Sequence, residues 1–162
     1  MEKSKPRKEV QNVTVDEYLE LCQEDISEDE YLRLEEKRVN KYWVGIVKNQ
    51  ELKCYYCKTH LQVIQQLILN RIIKPRKRGR SGYSGLHFEL DHKNADKKDN
   101  NIENHVASCY YCNNDKSDTF ASEIFKNYFG LYKNQAFNKL FKDQNLKMTY
   151  KFRHNLRGKV SK

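Results

Sequence analysis

Two Cys-x-x-Cys pairs constrain this chain more than any other feature: Cys54 with Cys57, and Cys109 with Cys112. A gap of 51 residues separates them. Two ligands two residues apart fit a tight knuckle whose backbone amides face the sulfurs. Two knuckles supply four thiolates, enough to close a tetrahedral Zn²⁺ site with no open position, so the ion is structural. Whatever else the chain does, residues 54–57 and 109–112 must meet. The sequence has no apolar run of membrane-spanning length, and its start, MEKSKPRKEV, lacks the apolar core of a signal peptide. That points to a soluble cytoplasmic protein. In a reducing compartment, paired cysteines mean metal more often than disulfide.

A length of 162 residues sets one domain, or one small domain with extensions. Only 38% of residues are hydrophobic and 33% are charged, so the core is modest and a metal staple compensates for it. Six Gly and two Pro exclude collagen-like and low-complexity readings. The net charge of +9 is unevenly spread. Residues 16–36 hold ten acidic residues and one Arg, a local charge of −9 that leaves +18 on the rest. A segregated basic excess suits a polyanion. The competing account is ordinary solvated lysine faces.

Thr14 and Glu17 have capping-box spacing, with Val15, Tyr18, Leu19 and Cys22 at helical period, predicting a helix over about 15–24. Cys22 falls in that apolar stripe and reads as a core thiol. Ser27 and Glu30 repeat the device before one longer helix, roughly 28–47. The acidic run lies on these two helices as their solvated faces, or as a surface that faces away from DNA or shields the basic site. Thr59 caps a helix through residue 73, and His60 is a surface or helix-start residue because four cysteines already fill the zinc site. Residues 71–85 read as a flexible basic loop suited to phosphate contact, with Arg71, Lys74, Arg76, Lys77, Arg78 and Arg80. Alternation over 86–91 predicts a strand, residues 104–107 a second, and a helix begins near Asn113. That helix breaks near 117–119 and restarts until Gly130 stops it; another covers 133–142. Residues 147–162 carry six Lys or Arg and no acid, a disordered tail that also suits DNA backbone contact.

The chemistry gathers between the knuckles. Asp91-His92 sits at a strand end, where neighbouring side chains point apart. Asp91 then faces a metal while His92 takes the proton of an attacking water. Asn113 offers a neutral oxygen to the same ion, and so few protein ligands suit hard Mg²⁺ or Mn²⁺. Lys116, one turn on, shares its helix face and can meet a phosphate.

In order, Cys54/Cys57, Asp91-His92, Asn104 and Cys109/Cys112-Asn113-x-x-Lys116 resemble the pattern of the HNH endonuclease family, in its H-N-N form. The resemblance covers about Cys54 to Lys116. It implies an α+β chain built on a ββα-metal finger, a short β-hairpin plus a helix, with a four-cysteine zinc site, embedded in additional helices. It implies His92 as general base, Asp91 and Asn113 as ligands of one catalytic divalent ion, and Asn104 as the residue that fixes the loop behind His92. The loop after His92 lacks the family's usual Pro and Gly, which leaves Asn101 a rival to Asn104. His87 and Glu89 share the strand face of Asp91, and His105 is a strand residue set opposite Asn104. The expected layout is an acidic helical extension over 1–50, a nuclease core over 51–130 with the 71–85 insertion reading DNA, and a C-terminal helix and basic tail over 131–162. The expected function is a metal-dependent DNA endonuclease, of restriction or homing type or non-specific. Arg76, Lys77, Arg78, Arg80 and Lys116 would contact nucleic acid. A double-strand break then needs a homodimer or two visits. The alternatives are a non-catalytic zinc-finger DNA-binding protein and an RNA-directed nuclease.

Overall fold

The structure, a computed structural model, describes residues 14–20, 24–78 and 82–153. The chain is α+β, with helices around two small two-stranded antiparallel sheets. Cys22, Arg80 and the end of the basic tail lie outside the described residues.

Helix α1 spans Val15–Glu20, its start fixed by Thr14 Oγ1 accepting from the Glu17 amide at 3.2 Å. Helix α2, Glu28–Arg38, starts on Ser27 in the same way. The single helix expected over 28–47 is two. Val39 leaves helical geometry, Asn40 adopts extended backbone, and its side chain accepts from the Trp43 amide at 2.8 Å. Asn is a good N-cap and a poor helix interior, so it starts a new element, α3 (Lys41–Asn49), in the middle of an unbroken apolar stripe. The break lets α3 bury Trp43, Val44 and Val47.

Helix α4, Leu61–Leu69, is the core element, with Leu61, Ile64, Leu67 and Ile68 fully buried. Its cap is His60, not Thr59: His60 Nδ1 accepts from the Gln62 amide, and Thr59 is buried beside it. Two glutamines on α4 are buried among the apolar residues. Gln65 donates to the carbonyls of Leu86 and Lys151 (both 2.7 Å) and accepts from the Lys151 amide at 2.9 Å. Gln66 donates to Thr149 Oγ1. Gln65 thus pairs both backbone groups of Lys151 in a C-terminal strap, and Gln66 holds the Thr149 side chain of the same strap. The strap holds Tyr150 and Phe152 in the core, and the Ile26 amide donates to the Tyr150 carbonyl. Residues 149–152 are therefore packed structure, not part of a disordered tail. Lys147 and Lys151 pair with Asp25 of the acidic segment.

The 71–85 segment is not wholly a loop. Strands β1 (Arg76–Arg78) and β2 (Gly82–Ser84) pair antiparallel, with Lys77 opposite Tyr83. Strand β3 (Glu89–His92) pairs with β4 (His105–Ser108), placing Asp91 opposite Val106 and His92 opposite His105. Helix α5 covers Tyr110–Lys116, starting three residues before Asn113 because Cys109 is its N-cap. Helix α6 (Ser122–Phe125) runs through a π-helical turn, Lys126–Gly130, into α7 (Leu131–Asp143). Gly130 does not stop the helix. It has helical backbone, and a Cβ there would overlap the Tyr56 carbonyl oxygen. The glycine lets the helix lie directly on the first knuckle. Among the described residues no helix is long and apolar enough to cross a membrane.

Candidate metal centre and adjoining cavity

The four cysteines meet. Their sulfurs lie within 4.8 Å of one another, all buried, with Cys57 and Cys109 Sγ 4.0 Å apart. A tetrahedron of Zn–S bonds of about 2.3 Å puts its sulfurs about 3.8 Å apart, so the donor set fits zinc. The knuckle amides point inward as the spacing requires: the Cys109 amide donates to Cys54 Sγ and the Cys112 amide to Cys109 Sγ. Electrostatics also call for a cation. Burial pushes the Cys109 thiol well above its ordinary value, and the neighbouring sulfurs add to this. Burial would raise Cys54 too, but hydrogen bonds from Cys109, Cys112 and Cys57 outweigh it and hold Cys54 low. The Cys54 thiolate is thus favoured at the expense of Cys109. A divalent ion removes that conflict by compensating all four.

The centre joins three elements. The Tyr55 amide of the first knuckle donates to the Ala107 carbonyl of β4 at 3.0 Å. Gln50, just past α3, pairs with both backbone groups of Ala107 (2.8 Å each), continuing the sheet ladder with a side chain. The knuckle, the hairpin and α5 are in this way one unit.

Beside this unit lies an open cavity of about 750 Å³, lined by Asp91, His92 and Asn113 together with Arg76, Lys77 and Lys97. Asp91 is mostly buried. Its Oδ2 accepts from the Tyr56 hydroxyl and pairs with Lys116 Nζ at 3.3 Å. Burial first, and then the bond to Asp91, raise the Tyr56 phenol far above its ordinary value, so it stays a donor. Asn113 donates through Nδ2 to Glu89 Oε2 at 3.1 Å, which turns its carbonyl oxygen away from that partner.

Lys116 does not meet solvent. It is fully buried, bonds the Ser117 carbonyl, and neutralises Asp91. The expectation that it contacts a phosphate is corrected: a buried ammonium paired with a buried carboxylate is a structural counter-ion. Asn104 is also buried. Its Oδ1 accepts from the Asn94 amide, its Nδ2 donates to the Asp99 carbonyl, and its own carbonyl accepts from the Lys93 amide. Those three bonds tie down the loop behind His92. Asn101 only caps the short turn at Ile102–Asn104. Of the basic residues, Arg76 and Lys77 are exposed on the cavity wall, Arg76 lying over the Tyr110 ring. Arg78 lies in β1.

Tyr56 and Tyr42 escaped the reading of the sequence, which took His105 as a strand residue only. Tyr56 is hidden inside the knuckle motif, and only the fold carries it to Asp91. His105 is not apart from the site. Its ring lies 4.8 Å from that of His92, nearly perpendicular, and Tyr42 bonds its Nδ1 at 2.6 Å. The Asn104-His105 dipeptide was the one available signal. His87, by contrast, leaves the site: it bonds Glu35 of α2 at 2.9 Å.

No family model matches the chain, and neither the curated proteins nor the solved structures compared with it give a match.

Proposed function

We propose that this chain is a metal-dependent DNA endonuclease of the HNH type. In this reading β3, β4 and α5 form the ββα-metal finger, with a structural Zn²⁺ in the four-cysteine centre. The observation that carries it is the convergence of Asp91, His92 and Asn113 on one open cavity whose rim is basic. A carboxylate and an amide oxygen with room for water suit Mg²⁺ or Mn²⁺ better than zinc. Bound there, the ion would neutralise the charge that develops on the phosphate in the transition state.

The chain's own residues do the rest. His92 takes a proton from a water as the water's oxygen attacks the phosphorus, and the 3′ oxygen leaves opposite it and takes a proton from solvent water, giving 5′-phosphate and 3′-hydroxyl ends. Lys116 and Tyr56 hold the Asp91 carboxylate in place, so it presents a fixed oxygen without rearrangement. Asn104 fixes the loop that follows His92. Arg76 and Lys77 lie where a phosphate backbone entering the cavity would pass.

The test is incubation of purified protein with plasmid and Mg²⁺ or Mn²⁺, with and without EDTA, followed by sequencing of the ends. Metal-dependent cleavage is expected; discrete ends mean a specific enzyme and a smear a non-specific one. Intact plasmid in every condition, with DNA still bound, would favour the non-catalytic zinc-finger reading. Cleavage of RNA alone would favour the RNA-directed one.

A further inference from the structure

We propose that His105 and Tyr42 are positioning residues that hold the His92 imidazole at its working angle; this rests on the nuclease reading above. A strand-end histidine at the rim of an open cavity is free to turn about its side-chain torsions. A general base must not turn, because proton transfer needs its nitrogen within hydrogen-bond reach of the water. Among the described residues neither ring nitrogen of His92 has a hydrogen-bond partner. What the ring does have is His105, set directly across from it by the β3–β4 register.

The two imidazoles meet edge to face, 4.8 Å between centroids and 88° between planes. Tyr42 meets His105 in the same manner, at 5.8 Å and 80°. The Tyr42 hydroxyl also bonds His105 Nδ1 at 2.6 Å, which fixes the angle of the middle ring. The three rings form a stack in which each is nearly perpendicular to the next, running from α3 to the cavity.

The chemistry of His105 is otherwise unexplained. Its Nε2 is buried with no hydrogen-bond partner among the described residues. An unpaired buried nitrogen is a cost that Leu or Val would avoid at a plain strand position. His105 combines a flat edge for His92 with an acceptor or donor nitrogen for Tyr42, and no apolar residue supplies both.

The experiment compares wild type with His105→Leu, His105→Phe and Tyr42→Phe. It measures kcat and KM on duplex DNA with Mg²⁺, DNA affinity by gel shift, and the His92 ring resonances by ¹H–¹³C NMR. His105→Leu should lower kcat by about 10- to 100-fold, the scale of a misplaced catalytic group, with KM and affinity unchanged. His105→Phe restores the flat edge and should recover most of the loss. Tyr42→Phe, at an exposed position, should lower kcat by about 2- to 10-fold, the scale of one lost hydrogen bond. If His105→Leu does not fold, Tyr42→Phe decides alone. Wild-type kcat in His105→Leu or Tyr42→Phe, or a loss confined to KM, overturns the proposal. The NMR arm separates it from the nuclease reading. If wild type does not cleave, that reading fails. A His92 ring resonance that does not move in His105→Leu would show the stack itself to be absent.

Discussion

Lys116 carries the clearest lesson at the scale of the residue. Spacing put it on the face of Asn113, but spacing says nothing about depth, and the ammonium is buried against Asp91. Lys116→Met should therefore lower stability by about 3 kcal/mol, since it leaves a mostly buried carboxylate without its counter-ion. Denaturant melts check this. The salt slope of DNA binding should not change, whereas Lys77→Ala should reduce it by about one. A lower slope in Lys116→Met would return the residue to the phosphate. Glu35 is a second buried charge that the sequence presented only as part of an acidic run. Burial would raise its carboxyl, but His87 and Arg38 outweigh it and hold it at about 2, against 4.5 for an ordinary Glu. A depressed carboxylate stabilises the fold fully above pH 4.5 and loses that contribution as pH falls toward 2. The loss is about 3 kcal/mol at about 1.4 kcal/mol per unit. Stability measured from pH 5 to pH 2 should fall more steeply in wild type than in Glu35→Gln. Parallel curves would contradict the assignment.

Elements were legible wherever a cap and an apolar period coincided. Thr14 and Ser27 cap the helices that their spacing predicts, and the alternation over 86–91 and the short run near 104–107 become β3 and β4. What failed was punctuation set by tertiary contact. Asn40 splits one apolar stripe into two helices because its side chain caps the second. Gly130 looked like a stop and is a point of close approach to Tyr56. Gln65 and Gln66 gave no sign that they would bind a strap more than eighty residues away. The knuckles were the most legible elements, because ligand spacing is local chemistry. Their importance is tested by Cys109→Ser, which removes a ligand while keeping a side-chain oxygen that can cap α5. The variant should lose bound zinc, measured by elemental analysis, together with cooperative unfolding. A stable zinc-free variant would refute the structural site.

On the scale of the whole molecule, charge segregation was read correctly from the sequence as an imbalance, but its partners were not. Part of the acidic run is spent internally, with Asp25 holding Lys147 and Lys151 of the strap and Asp16 pairing with Arg71. The basic tail divides accordingly. Deleting residues 154–162 should flatten the salt dependence of DNA binding, since Arg157, Lys159 and Lys162 go with it. Deleting 147–162 removes Tyr150 and Phe152 from the core and should abolish folding. A 147–162 truncation that unfolds at the wild-type temperature would contradict the packed strap. The larger division is between two centres that share one hairpin: a closed cluster of four cysteine sulfurs, which we propose holds a structural zinc, and an open cavity, which we propose holds the cutting ion. His92→Ala separates them most directly. Plasmid cleavage with Mg²⁺ should vanish while zinc content and DNA affinity stay at wild-type values. Cleavage retained in that variant would contradict the account.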